Sequence, residues 1–182
     1  MINQVSSVQS TVSITEQSGF LSDPYKLRDI RPDDKTQISL NNSYRRFFID
    51  ANAALHINYR YYHDDFGISS HTTDFSWHQN LGDSFQLIPN IRYYSQSAAD
   101  FFTNVDDFLK PETEYQSSDY RLSAFGAISG GISLVTDLGA WTTTLTAERY
   151  MAKEKYSVYN VTQSSTALVK YYRVSLGFTV SF

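Results

Sequence analysis

The last eleven residues of the chain, Tyr172-Arg-Val-Ser-Leu-Gly-Phe-Thr-Val-Ser-Phe182, alternate strictly between apolar side chains and polar or small ones. A period of two puts alternate side chains on opposite faces, which predicts a β-strand with one apolar face. Its length is about what a tilted strand needs to cross a bilayer, and most strands of globular proteins are shorter. The segment therefore predicts a membrane-spanning strand.

The same alternation recurs along the rest of the chain. In residues 141–150, Trp141, Leu145 and Ala147 alternate with threonines and Glu148. The other alternating segments are residues 8–16, 37–48, 55–62, 74–78, 85–94 and 121–134. With residues 172–182, these segments predict eight strands.

The predicted connections differ in length at the two ends of the strands. Short turns with Asp, Asn or Gly fall at residues 49–52, 81–84 and 136–140. Long polar loops fall at residues 17–35, 96–118 and 151–166, and the loop at 63–70 is shorter. Short turns at one end and longer loops at the other are typical of outer-membrane barrels. A periplasmic C-terminus would put every short turn inside and every long loop outside.

These patterns predict an all-β fold, an antiparallel transmembrane β-barrel in which residues 1–182 form one domain. Mean hydropathy is low, at -0.37, and no apolar run of about 18 residues occurs. Both observations fit a barrel, because only alternate residues face lipid. Aromatic side chains on the apolar face near the strand ends would form two interfacial girdles. The outer girdle would contain Tyr59, Tyr61, Tyr93 and Tyr172, and the inner one Trp77, Phe85, Trp141 and Phe182.

Two features within predicted strands call for local irregularities. Pro89 lacks the N–H that a central strand donates, which predicts a bulge or a missing ladder bond. Gly126, Gly130 and Gly131 in a single strand predict a bend or a close approach of another backbone segment.

The composition excludes several classes of site. The chain contains no cysteine, which excludes disulfides and thiolate ligands. The net charge is -4, and Lys and Arg do not cluster beyond Arg45 and Arg46, which argues against a nucleic-acid partner. The N-terminus has neither a basic nor an apolar segment of an export signal, so we expect this chain to be the C-terminal part of a larger barrel.

The polar face of the predicted strands contains a charge network that would line the lumen. Its predicted members are Arg60, Asp74, Arg92, Arg121, Glu148 and Arg173. Turns centred near Gly67 and Asp83 would place Asp74 opposite both Arg60 and Arg92, close enough for ion pairs. The network is interpreted either as a selectivity lining or as structural pairs that fill the barrel, and we expect the structural role to dominate.

The C-terminal strand also predicts partners. Leu176, Phe178, Val180 and Phe182 form an apolar row that ends in an aromatic residue. Barrel assembly machinery generally reads such a terminal strand, so we expect this machinery and outer-membrane lipid as partners.

No pattern indicates catalysis or a cofactor. The chain has neither a Gly-x-Ser-x-Gly elbow nor a His-Glu-x-x-His helix, so the expectation is a protein that is not an enzyme and that needs no metal. His63, Asp64 and Asp65 could ligate a cation but are interpreted as a solvated loop tip. His56 and His78 should face the lumen as members of a polar network.

Four segments resemble an uncharacterised family of Gram-negative outer-membrane proteins, described only as a domain of unknown function. They are Ser18-Gly-Phe-Leu-Ser-Asp-Pro-Tyr-Lys26, Ala54-Leu-His-Ile-Asn-Tyr-Arg-Tyr-Tyr-His-Asp-Asp-Phe-Gly67, Arg92-Tyr-Tyr-Ser-Gln-Ser-Ala-Ala-Asp-Phe-Phe102 and Ser118-Asp-Tyr-Arg-Leu-Ser-Ala-Phe125. The resemblance spans nearly the whole chain. It implies further strands ahead of this part and brings no catalytic residues.

The functional expectation is therefore an outer-membrane barrel that acts as a passive pore or binds through its long loops. Two alternatives stay open, an outer-membrane enzyme and a soluble ligand-binding barrel of the lipocalin type. The soluble barrel would reverse the two faces, with apolar residues inside and the arginines outside.

Overall fold

The computed structural model of the chain is built almost wholly from β-strands. It describes the backbone of residues 6–17, and residues 29–105, 109, 111, 114–165 and 167–180. The strands are β1 (Ser6–Gln17), β2 (Lys35–Phe48), β3 (Ala53–Asp64), β4 (Ser69–Leu81), β5 (Phe85–Gln96), β6 (Phe125–Asp137), β7 (Trp141–Lys153) and β8 (Lys170–Val180). Single 3-10 turns lie at Tyr120–Leu122 and Glu154–Tyr156. None of the helical segments in the described part is long and apolar enough to cross a membrane.

The strands form one antiparallel sheet in chain order, in which each strand pairs with the next. The predicted all-β antiparallel architecture is thus confirmed. In the part of the chain that the structure describes, β1 and β8 are the two edges and do not pair with each other, so closure into a barrel stays a prediction.

Long connections alternate with short ones as predicted, except that residues 65–68 form a connection no longer than residues 49–52. Residues 49–52, 82–84 and 138–140 join strands at one end of the sheet, the turn end. Residues 18–34, 65–68, 97–124 and 154–169 join them at the other, the loop end. Antiparallel strands in chain order require this arrangement, because every second connection returns to the same end.

The predicted strand at residues 121–134 begins too early, because β6 starts at Phe125. The preceding residues form the 3-10 turn Tyr120–Leu122, where the Asp119 side chain accepts a hydrogen bond from the Arg121 N–H. Asp and Ser side chains compete in this way with strand pairing. Leu122 and Ala124, predicted on the apolar face of a strand, are instead buried beside the loops.

Each described strand from β2 to β8 has one polar and one apolar face. The register fixes these faces, because directly paired residues share a side of the sheet. Asn58 pairs with Asp74, Asp74 with Arg92, Arg92 with Ser129, and Ser129 with Tyr150. The apolar face stays open to its surroundings, with Phe75 at 42%, Ile91 at 52% and Val174 at 74% exposure.

The main cluster of buried apolar residues lies at the loop end rather than within the sheet. Ile68, Ala99, Phe102 and Leu122 form it, and Tyr62 packs against it. The described residues within 97–124, which we name the loop cap, contribute most of this cluster. The Gln96 side chain, on the polar face, donates to the carbonyls of Arg121 at 2.8 Å and Ser123 at 2.7 Å. The loop cap therefore packs on the polar side of the sheet.

The loop after β7 packs on the opposite, apolar side. The Tyr93 hydroxyl donates to the Tyr156 carbonyl at 2.5 Å, and the Val158 N–H donates to the Ser95 hydroxyl at 2.9 Å. Gly126 lies directly beneath this loop, since a Cβ there would lie 2.2 Å from the carbonyl carbon of Tyr156. The predicted close approach of backbone is confirmed at Gly126.

Pro89 interrupts the pairing of β4 with β5. Pairs extend from Ser70–Gln96 to Ser76–Asn90 and resume at Gln79–Leu87 in the same register. No residue is inserted, so of the two predicted irregularities the missing ladder bond is observed and the bulge is not.

Candidate functional site

An open cavity of about 520 Å³ lies on the polar face. Its polar-face lining comes from β2, β3, β4, β5 and β7, so the sheet is concave on this side. The residues are Asn41, Ser43, Asn58, Arg60, Thr72, Asp74, Arg92, Tyr94 and Tyr150. Arg60 and Tyr94 lie two residues along their strands from Tyr62 and Gln96, which contact the loop cap. The cavity therefore begins directly below the loop cap.

The polar face of β6 carries small residues. Ala127, Ser129, Gly131 and Ser133 occupy the polar face of this strand. Ala127 and Ser129 are only 2% and 5% exposed. Their burial follows from their size, because the longer side chains of β5 and β7 stand on either side and cover them.

Two predicted members of the charge network pair across β4 and β5. The Arg92 Nε and Nη2 atoms donate to the two carboxylate oxygens of Asp74, with Nη2 to Oδ2 at 3.2 Å. The predicted register between these strands is confirmed. Two other members of the predicted network pair between β7 and β8, where Arg173 Nη2 lies 2.6 Å from Glu148 Oε2. Because the arginines are more than half exposed, each pair contributes at most about 1 kcal/mol to stability.

The predicted pairing of Arg60 with Asp74 is wrong. Arg60 lies opposite Thr72, and Asp74 lies opposite Asn58. The hairpin turn is centred one residue earlier than predicted, since β3 continues to Asp64 and the Asp64 side chain accepts from the Ile68 N–H at 3.0 Å. This moves the register by two residues, which preserves the face. Arg60 remains on the polar wall, with its guanidinium 5.6 Å from the ring of Tyr62.

Arg121 does not belong to the lumen network either. It lies in the 3-10 turn of the loop cap and its Nη2 donates to Asp119 Oδ2 at 2.6 Å. Arg31 reaches the same oxygen at 3.1 Å. Hydrogen bonds from Arg121 hold the pKa of the Asp119 carboxyl well below its usual range, although partial burial opposes this effect. The ion pairs thus join the segment around Arg31 to the loop cap.

Arg45 is a polar-face cation that the sequence reasoning missed. Its Nη2 donates to Asn58 Oδ1 at 2.7 Å, and its Nη1 donates to the carbonyls of Tyr44 at 2.9 Å and Ile57 at 3.2 Å. All three acceptors are neutral. Alternation with Ser39, Asn41 and Ser43 in β2 was the available signal, and it places Arg45 on the polar face.

The interpretation of His63, Asp64 and Asp65 as a solvated tip is wrong for Asp64, which is 1% exposed. Its carboxylate lies 2.8 Å from Lys35 Nζ and accepts from the Tyr62 hydroxyl at 2.6 Å and the Ile68 N–H at 3.0 Å. These partners occupy both oxygens. Within the described ranges, no group of three or more His, Cys, Asp or Glu residues is arranged to hold a metal ion.

His56 and His78 lie together on the polar face, with ring centroids 4.0 Å apart. The Ser76 hydroxyl lies 3.0 Å from His78 Nε2, and Gln86 Oε1 lies 3.5 Å from its Nδ1. A catalytic Ser–His pair needs an orienting acceptor in good hydrogen-bond geometry, usually a carboxylate. The Gln86 contact is too long for that role, so the cluster is best described as a polar network.

Aromatic side chains mark both ends of the apolar face. The Tyr59 hydroxyl forms a hydrogen bond with His71 Nδ1 at 2.7 Å. The His71 ring stacks on the ring of Tyr159 at the loop end. At the turn end, the rings of Phe48 and Trp77 are 5.4 Å apart. The structure places the predicted girdle residues on this face as follows: Tyr59, Tyr61, Tyr93 and Tyr172 at the loop end, and Trp77, Phe85 and Trp141 at the turn end. Phe182 lies outside the described residues.

The predicted assembly signal lies on an edge strand. Leu176, Phe178 and Val180 share the apolar face of β8, which pairs only with β7 in the described part of the chain. Leu176 and Phe178 are largely exposed. The fourth predicted member, Phe182, falls beyond the described residues.

The fold and site define a class of protein: an all-β antiparallel sheet with a concave polar face, an exposed apolar face and ordered loops at one end. Residues 1–173 match the family described as protein of unknown function (DUF3570), and the chain belongs to that family. A comparison with curated proteins finds no match, and a comparison with solved structures finds none either.

Proposed function

We propose that this chain forms the wall of an outer-membrane β-barrel, with its polar face toward the lumen and its apolar face toward lipid. The observation that carries the proposal is the direction of curvature. The concave face is the one with Asp74, Arg92 and Arg60, and the opposite face presents Phe75 and Ile91. A barrel in a membrane needs this arrangement.

The alternative of a soluble ligand-binding barrel requires the opposite orientation of the two faces of the sheet. A lipocalin-like barrel would turn its apolar residues into the cavity and its charges to water. Here the exposed apolar side chains extend from β2 across to β8, which in water would form a contiguous patch far larger than soluble monomers usually present. Lipid contact accounts for the patch without a further partner.

The loop cap favours a barrel with restricted passage over a wide pore. It packs on the polar face at the loop end through Gln96 and Tyr62, so it occupies the space that an open channel would leave to water. The function we propose is a passive outer-membrane protein that admits or binds small hydrophilic molecules below its loops. In this proposal, β8 with Leu176 and Phe178 is the strand offered to the assembly machinery.

The faces can be tested with neighbouring residues of β7. Leu145 is on the apolar face and 46% exposed, whereas Thr144 is on the polar face. A lysine near the bilayer midplane on the lipid face costs about 2–4 kcal/mol, while the lumen face tolerates charge. We expect Leu145→Lys to reduce the heat-modifiable, membrane-inserted fraction of the full-length protein sharply, and Thr144→Lys to leave most of it. Equal insertion of both variants would contradict the proposal.

The orientation of the sheet in the membrane, with the loop end outside the cell and the turn end in the periplasm, is a separate prediction. Asp83 lies in a turn-end connection and Lys155 in a loop-end one, and the chain has no cysteine of its own. On intact cells, a membrane-impermeant maleimide should label Lys155→Cys and not Asp83→Cys. After the outer membrane is permeabilised, both positions should react, which controls for accessibility. Labelling of position 83 alone on intact cells would invert the orientation.

A further inference from the structure

We propose that the cavity below the loop cap binds a small hydrophilic anion, carboxylate or phosphate in chemistry, with Arg60 and Arg45 as its cationic groups. The inference rests on the proposed function, since it names the class of solute for the same lumen. It concerns ligand binding and not the ion-pair network predicted from the sequence.

The described charged side chains of the polar face do not balance. Between the loop cap and the turn end, Asp74 is paired with Arg92, and Glu148 with Arg173. These pairs cancel in charge. Arg45 and Arg60 remain on the same wall, and among the described residues neither forms an ion pair with a carboxylate. The wall is thus cationic although the whole chain has a net charge of -4.

Arg60 is the cation placed to meet a ligand. It lines the cavity and is exposed, with Asn41 and Thr72 directly opposite on the neighbouring strands and the ring of Tyr62 5.6 Å from its guanidinium. Stacking on an aromatic ring holds a guanidinium in place while its N–H donors stay free for hydrogen bonds. An arginine in this setting presents a planar fork that matches a carboxylate or phosphate.

Arg45 does not line the cavity itself but contacts its lining through Asn58. Its three hydrogen bonds go to neutral acceptors, which fix the guanidinium without neutralising it. Asn58 Oδ1 links it to the cavity lining and also accepts from the Ser43 hydroxyl at 3.0 Å. Within a concave wall, charges of one sign focus the field and raise the local concentration of the opposite ion.

The remaining lining supports a polar solute rather than an apolar one. Amide and hydroxyl groups of Asn41, Ser43 and Thr72 can donate or accept, and Tyr94 and Tyr150 provide ring surface. Arg92 uses Nε and Nη2 for Asp74, so its third nitrogen is a further donor toward the cavity. A volume of about 520 Å³ is within the range of small-molecule sites.

The test is equilibrium dialysis of the folded full-length protein against radiolabelled inorganic phosphate, and in parallel against succinate. We expect saturable binding of at least one of these probes that weakens with added salt. Arg60→Gln should weaken it about tenfold or more, because a charge-assisted hydrogen bond is lost. The matched control is the double variant Glu148→Gln/Arg173→Gln, which removes one charge of each sign and should change the affinity less than about twofold.

The outcomes separate this inference from the proposed function. Absence of saturable binding for both probes, or binding undiminished in Arg60→Gln, would overturn the anion site even if the protein inserts into membranes normally. Equal losses in Arg60→Gln and the double variant would also overturn it, because general disturbance of the wall would explain them. Failure of the proposed function would appear in the Leu145→Lys and Thr144→Lys pair, which does not depend on any ligand.

Discussion

Asp64→Ala should destabilise the full-length protein by roughly 3 kcal/mol, because a buried carboxylate with several partners is removed. The variant removes the acceptor of Lys35 and of the Ile68 N–H, while the Tyr62 hydroxyl keeps Gln37 Oε1 at 3.0 Å as an acceptor. The Ile68 N–H is the most costly loss, since Ile68 belongs to the buried cluster beneath the loop cap. Denaturant unfolding of the protein in detergent micelles measures the change.

Two further variants give this prediction its controls. Asp83→Ala, in an exposed turn at the opposite end, should change stability by no more than about 0.5 kcal/mol. Asp64→Leu combined with Lys35→Met replaces the ion pair with apolar groups and should recover part of the loss. An Asp64→Ala variant as stable as Asp83→Ala would contradict the role of Asp64 as the hub of the hairpin.

Gly126→Ala should release the loop after β7 from the sheet. The new Cβ would lie 2.2 Å from backbone atoms of Tyr156, so the loop must move, at a cost of about 1–3 kcal/mol. Trypsin should then cleave faster after Lys153 and Lys155. Tyr93→Phe should destabilise the native protein but have little effect in the Gly126→Ala background, where its bond to Tyr156 is already lost.

Gly130→Ala is the matched control on the same strand and face. Its Cβ would meet only the Asn90 carbonyl oxygen at 3.6 Å, which is an ordinary contact. This variant should keep the native stability within about 1 kcal/mol and the native cleavage rate. Equal effects of the two glycine variants would show that strand propensity, rather than the close approach of the loop, determines the outcome.

The strands and their faces were predictable because period two is a local signal that each strand repeats. Every residue from Tyr172 to Val180 lies on the predicted face. The Asp74–Arg92 pair was also predictable, since a short turn at Asp83 leaves few registers open. The missing N–H of Pro89 also predicted a local irregularity, and the pairing of β4 with β5 shows which kind it is.

The loop end could not be predicted in the same way. Asp64 is followed by a loop tip in the sequence, and only the approach of Lys35 and Tyr62 makes it a buried hub. Arg121 continues an alternating pattern, yet Asp119 captures it in a 3-10 turn. These outcomes depend on contacts between segments far apart in the chain, which no local period encodes.

The missing backbone pairs near Pro89 weaken the contact between β4 and β5. Strands β1 to β4 lie on one side of this contact and strands β5 to β8 on the other. Toward the turn end, Trp77 and His78 of β4 have no backbone pairs with β5. We expect movement within the sheet to concentrate at this contact. Backbone amides there should exchange faster than those between β3 and β4 or between β5 and β6. The Asp74–Arg92 ion pair joins the same two strands two residues toward the loop end from Ser76–Asn90, where the backbone pairs are intact, and adds a side-chain contact between them. Asp74 and Arg92, which line the cavity, thus also restrict the movement of β4 relative to β5.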